Sequence, residues 1–351
     1  MNRPGRVGRA RRGSVRAVGL LATLLAASLT AGCGLFGGSD EAEGSGDNTT
    51  AASGPLEKTT LKVGVMIGID CSGAQLALLN DTFKEEGLTI EATTIQSGAL
   101  AIPSLAGGEF DITFGNWVSF IKAQQAGIVD MKFISESYLS TPNSNFSVIA
   151  AKDSPINSPK DLEGKRIAVN AKGNINELLL RAVLDANDVD FNKIKDGLVE
   201  MPFPNMAAAI KNGRIDAAAT IDPFVTAAQK EIGAKIVFDM TGAGPTENFP
   251  LSGFATKKEF ADQNPNTIAA FQRALLKGQQ LAADRSKVEE ALPKFAKMDP
   301  QTAAIVKIGQ FPTTIDPKRI QRVADLLVTY EMLPKKLEIE PLVVPIPSEN
   351  G

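Results

Sequence analysis

The sequence predicts a mixed α/β protein of two lobes joined by a hinge, and three observations carry that expectation. Short β-branched runs alternate with longer amphipathic stretches, the pattern of successive βα units. Of the 351 residues, the 319 that follow residue 32 are enough for two domains, each with its own core. One helix-to-strand turn occurs twice, as Gly107-Gly108-Glu109-Phe110-Asp111-Ile112 and as Asn212-Gly213-Arg214-Ile215-Asp216-Ala217, as two similar lobes require.

The chain begins with a leader. Arg3, Arg6, Arg9, Arg11, Arg12 and Arg16, with no acid among them, precede a small, apolar run over residues 17–29 that is too short to cross a membrane. Residues 1–32 therefore read as a secretory signal peptide, with both the general and the twin-arginine export routes left open. The run ends in Leu29-Thr30-Ala31-Gly32-Cys33. This resembles the bacterial lipobox, which implies a lipid on Cys33 and an anchor in the cell membrane. Residues 33–58 are rich in Gly, Ser, Asp and Glu, cannot bury enough surface to offset their ordering entropy, and read as a flexible tether.

Composition excludes several functions. Without the six leader arginines the formal net charge falls from -3 to -9, an acidity that opposes a nucleic-acid partner. There is no His, so the commonest proton-transfer group and metal ligand are missing, and no catalytic residue, metal or cofactor is expected. Of the two cysteines, Cys71 has no partner once Cys33 is lipidated.

The first lobe is expected over residues 59–145 and 247–351, with strands at 60–66, 88–95, 110–114 and 131–135 and helices at 74–86, 100–106 and 117–126. The second lobe is expected over 146–246. Its strands are expected at 146–151, 166–170, 198–201, 217–221 and 235–239, its helices at 174–187, at 206–212 capped by Asn205, and from Pro223 onward. A return strand at 251–256 leads to helices at 258–263, 266–284, 286–297, 300–308 and 317–331, punctuated by Pro265, Pro293, Pro300 and Pro317. The proline-bearing tail after Pro334 reads as an extended strap. Gly107 and Gly213 are the expected left-handed helix caps, with buried strands after Asp111 and Asp216.

Three stretches carry a family resemblance: Ser97-Gly98 with Leu105 to Ile112 and Gly115-Asn116; Asp161-Leu162-Glu163-Gly164-Lys165-Arg166-Ile167-Ala168-Val169; and Asn212 to Ala218 with Asp222-Pro223. Together they resemble the ABC-transporter substrate-binding proteins for nitrate, sulfonates, taurine, bicarbonate and thiamine-precursor pyrimidines. The resemblance implies a periplasmic-binding-protein-like, type II solute-binding fold. It also implies a monomer that captures a small organic solute between its lobes and delivers it to an ABC permease. The chain has no Walker motif, so ATP hydrolysis belongs to a partner ATPase. The alternatives are a tethered sensor and a fold-related enzyme of pyrimidine-precursor or menaquinone metabolism.

By the same resemblance the ligand is held at strand ends and helix N-termini. The candidates are Asp70, Cys71 and Ser72 after the first strand, Asn116 and Trp117 after the third, Lys172, Gly173, Asn174 and Asn176 in the second lobe, then Phe203 and Asn205, and finally Thr220 and Asp222. Several have a plainer role as well. Trp117 also suits the core, Asn174 and Asp222 suit helix caps, and Cys71 suits a small buried hydrophobe. Asp70 and Asp222 repel a simple anion and suit an amine, an N–H heterocycle or a zwitterion.

Overall fold

A computed structural model describes residues 54–142, 146–242 and 244–347. The leader, Cys33 and most of the tether lie outside the described residues. In chain order the elements are β1 (Thr60–Met66), α1 (Ser72–Leu79), α2 (Thr82–Glu85), β2 (Thr89–Ile95), α3 (Gly98–Gly107), β3 (Ile112–Asn116), α4 (Trp117–Gln125), β4 (Met131–Leu139) and β5 (Phe146–Ala150). There follow β6 (Ile167–Val169), α5 (Ile175–Asp185), β7 (Leu198–Glu200), α6 (Phe203–Lys211), β8 (Ala217–Ile221), α7 (Phe224–Ile232), β9 (Lys235–Asp239) and β10 (Pro250–Lys257). The chain ends in α8 (Lys258–Gln263), α9 (Pro265–Ala282), α10 (Arg285–Phe295), α11 (Pro300–Ala303) and α12 (Pro317–Thr329).

The strands form two sheets of one design. The first has the order β2-β1-β3-β10-β4 and the second β7-β6-β8-β5-β9. In each, three parallel strands are followed by one antiparallel strand, β10 or β5, and then by an edge strand, β4 or β9, that runs parallel to the first three. The inner strands are buried on both faces, as β8 (Ala217 to Ile221) and β3 (Ile112 to Asn116) are buried throughout, which is what a sheet covered by helices on both sides requires.

The repeated turn has a physical basis that both copies share. The Asp111 carboxylate accepts the Lys62 backbone N–H at 2.9 Å while the Asp111 N–H donates to the Lys62 carbonyl at 2.9 Å. In the second sheet Asp216 and Arg166 make the same pair of bonds, each 2.8 Å. Each aspartate thus closes the first rung between two parallel strands. The left-handed residue before it is Gly213 (φ 63°) in the second copy but Gly108 (φ 79°), not Gly107, in the first.

Other expectations shift. The helix expected at 74–86 breaks at Asp81, which is left-handed at φ 58°, because both halves turn to pack on α9. Where α1 meets α9, Gly73 and Gly278 leave no room for side chains; a Cβ on Gly278 would sit 2.2 Å from the Gly73 carbonyl oxygen. The helix expected at 300–308 stops at Ala303, since the Ala304 and Val306 carbonyls accept instead from Arg285, at 3.0 and 2.9 Å. Residues 54–58, expected as the end of the tether, are docked: the Glu57 carboxylate accepts from Thr267 N and Oγ1, each at 2.9 Å, and Lys58 pairs with Asp111 at 2.7 Å. The tail does run as a strap, with Val344 N donating to the Phe133 carbonyl at 2.9 Å.

The chain passes between the sheets after β4 and again before β10. Ser140 ties these two passages together: its N–H donates to the Phe249 carbonyl and its hydroxyl accepts from Phe249 N, at 2.9 and 2.8 Å.

Candidate functional site

The carboxyl ends of β1, β3, β6 and β8 meet between the two sheets. They enclose a cavity lined by Met66, Asp70, Gly98, Phe114, Asn116 and Leu251 from the first sheet's side and Phe146, Asn170, Ile175, Asn176, Phe203 and Ile221 from the second's. Its volume is about 20 Å³, room for little more than one water molecule. The lobes are closed on each other here. The Lys122 ammonium of α4 donates to the Gly173 carbonyl before α5 at 3.1 Å, bridging the two sides.

Asp70 lies in the 3-10 turn Ile69–Cys71, held there by the Ser137 hydroxyl, which donates to its backbone carbonyl at 2.7 Å. Its side chain is 5% exposed, and Oδ1 makes no hydrogen bond of normal geometry. Burial pushes the carboxyl up to about 7, with its own backbone N–H and the nearby Ser252 hydroxyl pulling the other way. A Cβ on Gly68 would stand 2.5 Å from that Oδ1, so a larger residue before the turn would push the carboxylate aside. Cys71 and Ser72 are fully buried behind it and do not line the cavity. Burial raises the Cys71 thiol, with the Asp70 charge adding to the effect, so it is no nucleophile.

Asn116 lines the cavity and caps α4, its Oδ1 accepting from Ser119 N at 2.9 Å. Trp117 does not line it. The indole is fully buried in the first lobe, edge-on to Phe120 and Phe133 at 6.1 and 5.1 Å, and a Cβ on Gly253 would collide with it. The core role therefore describes its position.

In the second lobe, Asn174 caps α5 by accepting from Asn176 N at 3.0 Å. The Asn170 Oδ1 accepts from the side-chain amides of both Asn174 and Asn176, each at 2.7 Å. That fixes the Asn176 amide with its Oδ1 turned away, buried and without a donor. The Gly173 N–H is taken by Glu177 at 2.7 Å, and Lys172 points to solvent. Phe203 lines the cavity and stacks on Phe224 at 5.5 Å.

Asn205 is not a cap: α6 begins two residues earlier, at Phe203, because Pro202 already supplies the extended entry, and Asn205 is exposed in the first turn. Thr220 is buried with its hydroxyl unpaired but lies off the cavity. Asp222 also lies off it and is fully occupied. One oxygen accepts from Thr226 N and Oγ1 at 2.9 and 2.8 Å, the other from Lys307 N at 2.8 Å, while burial raises its carboxyl. Of the two aspartates, only Asp70 is among the residues that line the cavity.

Sequence reasoning passed over Met66, Gly98, Phe114, Phe146, Asn170, Ile175, Ile221 and Leu251 as cavity residues. Four of them, Met66, Gly98, Ile175 and Ile221, are the last residue of a strand or the first of the helix after it, so strand ends were a signal for half of the set. Four helices, α3, α4, α5 and α6, begin at the cavity and turn their positive ends toward it.

The family model described as NMT1/THI5 like matches residues 70–287. The taurine-binding periplasmic protein of Escherichia coli (strain K12) is 31% identical over 212 residues, a match that covers 59% of this chain and 62% of that protein, somewhat less than two thirds of it. A putative aliphatic sulfonates-binding protein of the same organism is 28% identical over 257 residues, covering 69% of this chain and 75% of the other. Among solved structures, the alkanesulfonate-binding protein SsuA from Xanthomonas axonopodis pv. citri superposes with a TM-score of 0.70 at 21% identity, over 83% of this chain and 99% of that one. The periplasmic nitrate-binding protein NrtA from Synechocystis PCC 6803 does so at 0.69 and 13%, over 83% and 87%. These likenesses show the periplasmic-binding-protein fold.

Proposed function

The chain belongs to the NMT1/THI5-like family, and from that premise we propose that it is the extracytoplasmic solute-binding component of an ABC importer. It captures a small organic solute between its lobes and hands it to a membrane permease driven by an ATPase. The observation that carries this reading is the cavity itself, built from strand ends of two sheets of the same topology and lined from the side of each. The lobes are residues 59–145 with 247–351, and 146–246. They part to admit solute, since a cavity of about 20 Å³ holds no organic molecule.

The positive ends of α3, α4 and α5 suit an anionic group on the solute, such as the sulfonates named for two of the relatives. Asp70, Asn116, Asn176 and Phe203 contact the solute directly; Ser72, Trp117, Gly173, Asn174, Thr220 and Asp222 hold the loops that present them. The chain performs no turnover, acts as a monomer, and is tethered to the cell membrane through a lipid on Cys33.

The test is a thermal-shift titration with taurine, alkanesulfonates, nitrate and aminopyrimidines, followed by reconstitution with the permease and ATPase. Solute at ~100 times its dissociation constant adds roughly 2.7 kcal/mol, several degrees for a protein of this size. Solute-loaded chain then stimulates ATP hydrolysis by the reconstituted complex; binding without stimulation would set the importer reading aside. For the anchor, Cys33→Ser moves the chain from the membrane fraction to the soluble one.

A further inference from the structure

We propose that the solute joins an apolar tail to its anionic head, and that the tail leaves the cavity past Phe203 to lie in a groove between α6, α7 and the turn from α10 to α11. The inference rests on the receptor reading above and names the class of its ligand.

The groove has a volume of about 260 Å³ with the lobes closed, against about 20 Å³ for the cavity. Among the described residues only Phe203 lines both. Its side chain, 5% exposed, stacks on Phe224 of the groove wall at 5.5 Å, so one residue free to change rotamer stands where the two spaces meet. The surface grooves beside Asp130 and beside Gln310 share no residue with the cavity, which sets this one apart from them. Cavity and groove together approach the size of about 300 Å³ at which sites for small organic molecules begin.

The walls come from both lobes: Phe203, Ala207, Phe224 and Ala227 from the second, Ala296 and Met298 from the first. The groove is therefore complete only when the lobes are closed, and a tail lying in it is held by both. The charges beside it cancel. Lys230 of α7 donates to the Asp299 carboxylate at 2.7 Å and to the Thr302 hydroxyl at 3.0 Å, across the lobes. Glu231 and Lys297, both exposed, add one charge of each sign. A charged occupant meets no net opposite charge there, whereas an apolar chain gains by leaving water for the aromatic and alanine walls.

The experiment uses the purified full chain and a series of probes that differ only in tail length: ethane-, butane-, hexane- and octanesulfonate. Affinities are measured by calorimetry with wild type and with Ala207→Phe and Ala227→Phe, which fill the groove from α6 and from α7. Each methylene that enters the groove should tighten wild-type binding by roughly 4-fold. The expected result is that octanesulfonate binds wild type 10-fold or more tighter than ethanesulfonate, and that this ratio falls toward one in both filled variants. A wild-type ratio near one, or a gain with tail length that survives both fillings, would overturn the inference and leave the receptor reading standing. Silence from all four probes would overturn the inference together with the anionic head proposed above. Each variant is judged by the ratio between its own long and short probes and by its melting temperature, so lost folding does not pass for a filled groove, and where one variant fails to fold the other, on a different helix, decides.

Discussion

Asp70 makes its own case at the scale of a single residue, because a carboxyl this deeply buried works against stability once it is charged. Unfolded, it titrates near 4; folded, burial raises it to about 7. Between those values the folded chain keeps a proton that the unfolded chain has lost, so this group's contribution to stability is full below pH 4 and is lost as pH rises through 7. Asp70→Asn should therefore melt like wild type at pH 4 and several degrees higher at pH 8, for a difference of at most about 4 kcal/mol. Calorimetric melts at the two pH values check this, and an increment that does not change with pH would refute it. Cys71 and Tyr138, which feel the Asp70 charge, are held neutral by burial and offer it no counter-ion. The sequence made Asp70 and Asp222 look alike, a carboxylate in each of two loops. What separates them is Lys307, a residue 85 positions further along the chain whose N–H occupies Asp222, and no local pattern announces such a partner. Trp117 was equally ambiguous, since a strand-to-helix turn can aim its aromatic at either the cleft or the core. Glycine at 253, across the sheet, gives the indole its place in the core.

Among the elements, α12 is fastened to β4 by a buried charge. The Glu136 carboxylate, with no exposed surface, accepts from the Arg319 guanidinium at 2.8 Å and from Asp316 N at 2.7 Å; burial still holds its carboxyl above the usual range. Arg319→Met leaves that carboxylate without its partner and should cost about 3–5 kcal/mol in urea unfolding, while the double variant with Glu136→Met recovers most of the loss. If the single and double variants unfold alike, the pair is not the fastening. Element identity was legible wherever apolar period and a punctuating Pro or Gly agreed, as at α9 and α12, whose starts at Pro265 and Pro317 were expected to within a residue or two. It failed where tertiary bonds replaced helical ones. Residues 304–308 have helical composition, yet Arg285 claims two of their carbonyls and Asp222 their N–H at Lys307. The break at Asp81 has the same origin, since α1 and α2 both pack on α9 but at different points along it.

For the whole molecule, the closed cavity and the Lys122 bridge predict two states. Scattering from solute-free chain should give a larger radius of gyration than from saturated chain. Lys122→Met, which removes one bond across the cleft, should weaken solute binding by roughly 2–10-fold, the worth of a single hydrogen bond, with no change in melting temperature of the free chain. The two-lobed plan was legible because the turn ending in Asp111 and Asp216 is written twice, and its register bonds explain why the residue is aspartate in both. Cavity shape was not, because it depends on how the lobes meet rather than on either alone. The strand order also fixes a sequence of events at the ribosome. β10 lies between β3 and β4, so β4 has no strand beside it until residues 250–257 have been made, whereas the second sheet has all five strands once Asp239 emerges. The later-encoded sheet is therefore the first that can assemble, and the nascent first lobe must wait, with one edge unpaired, for the strand that completes it.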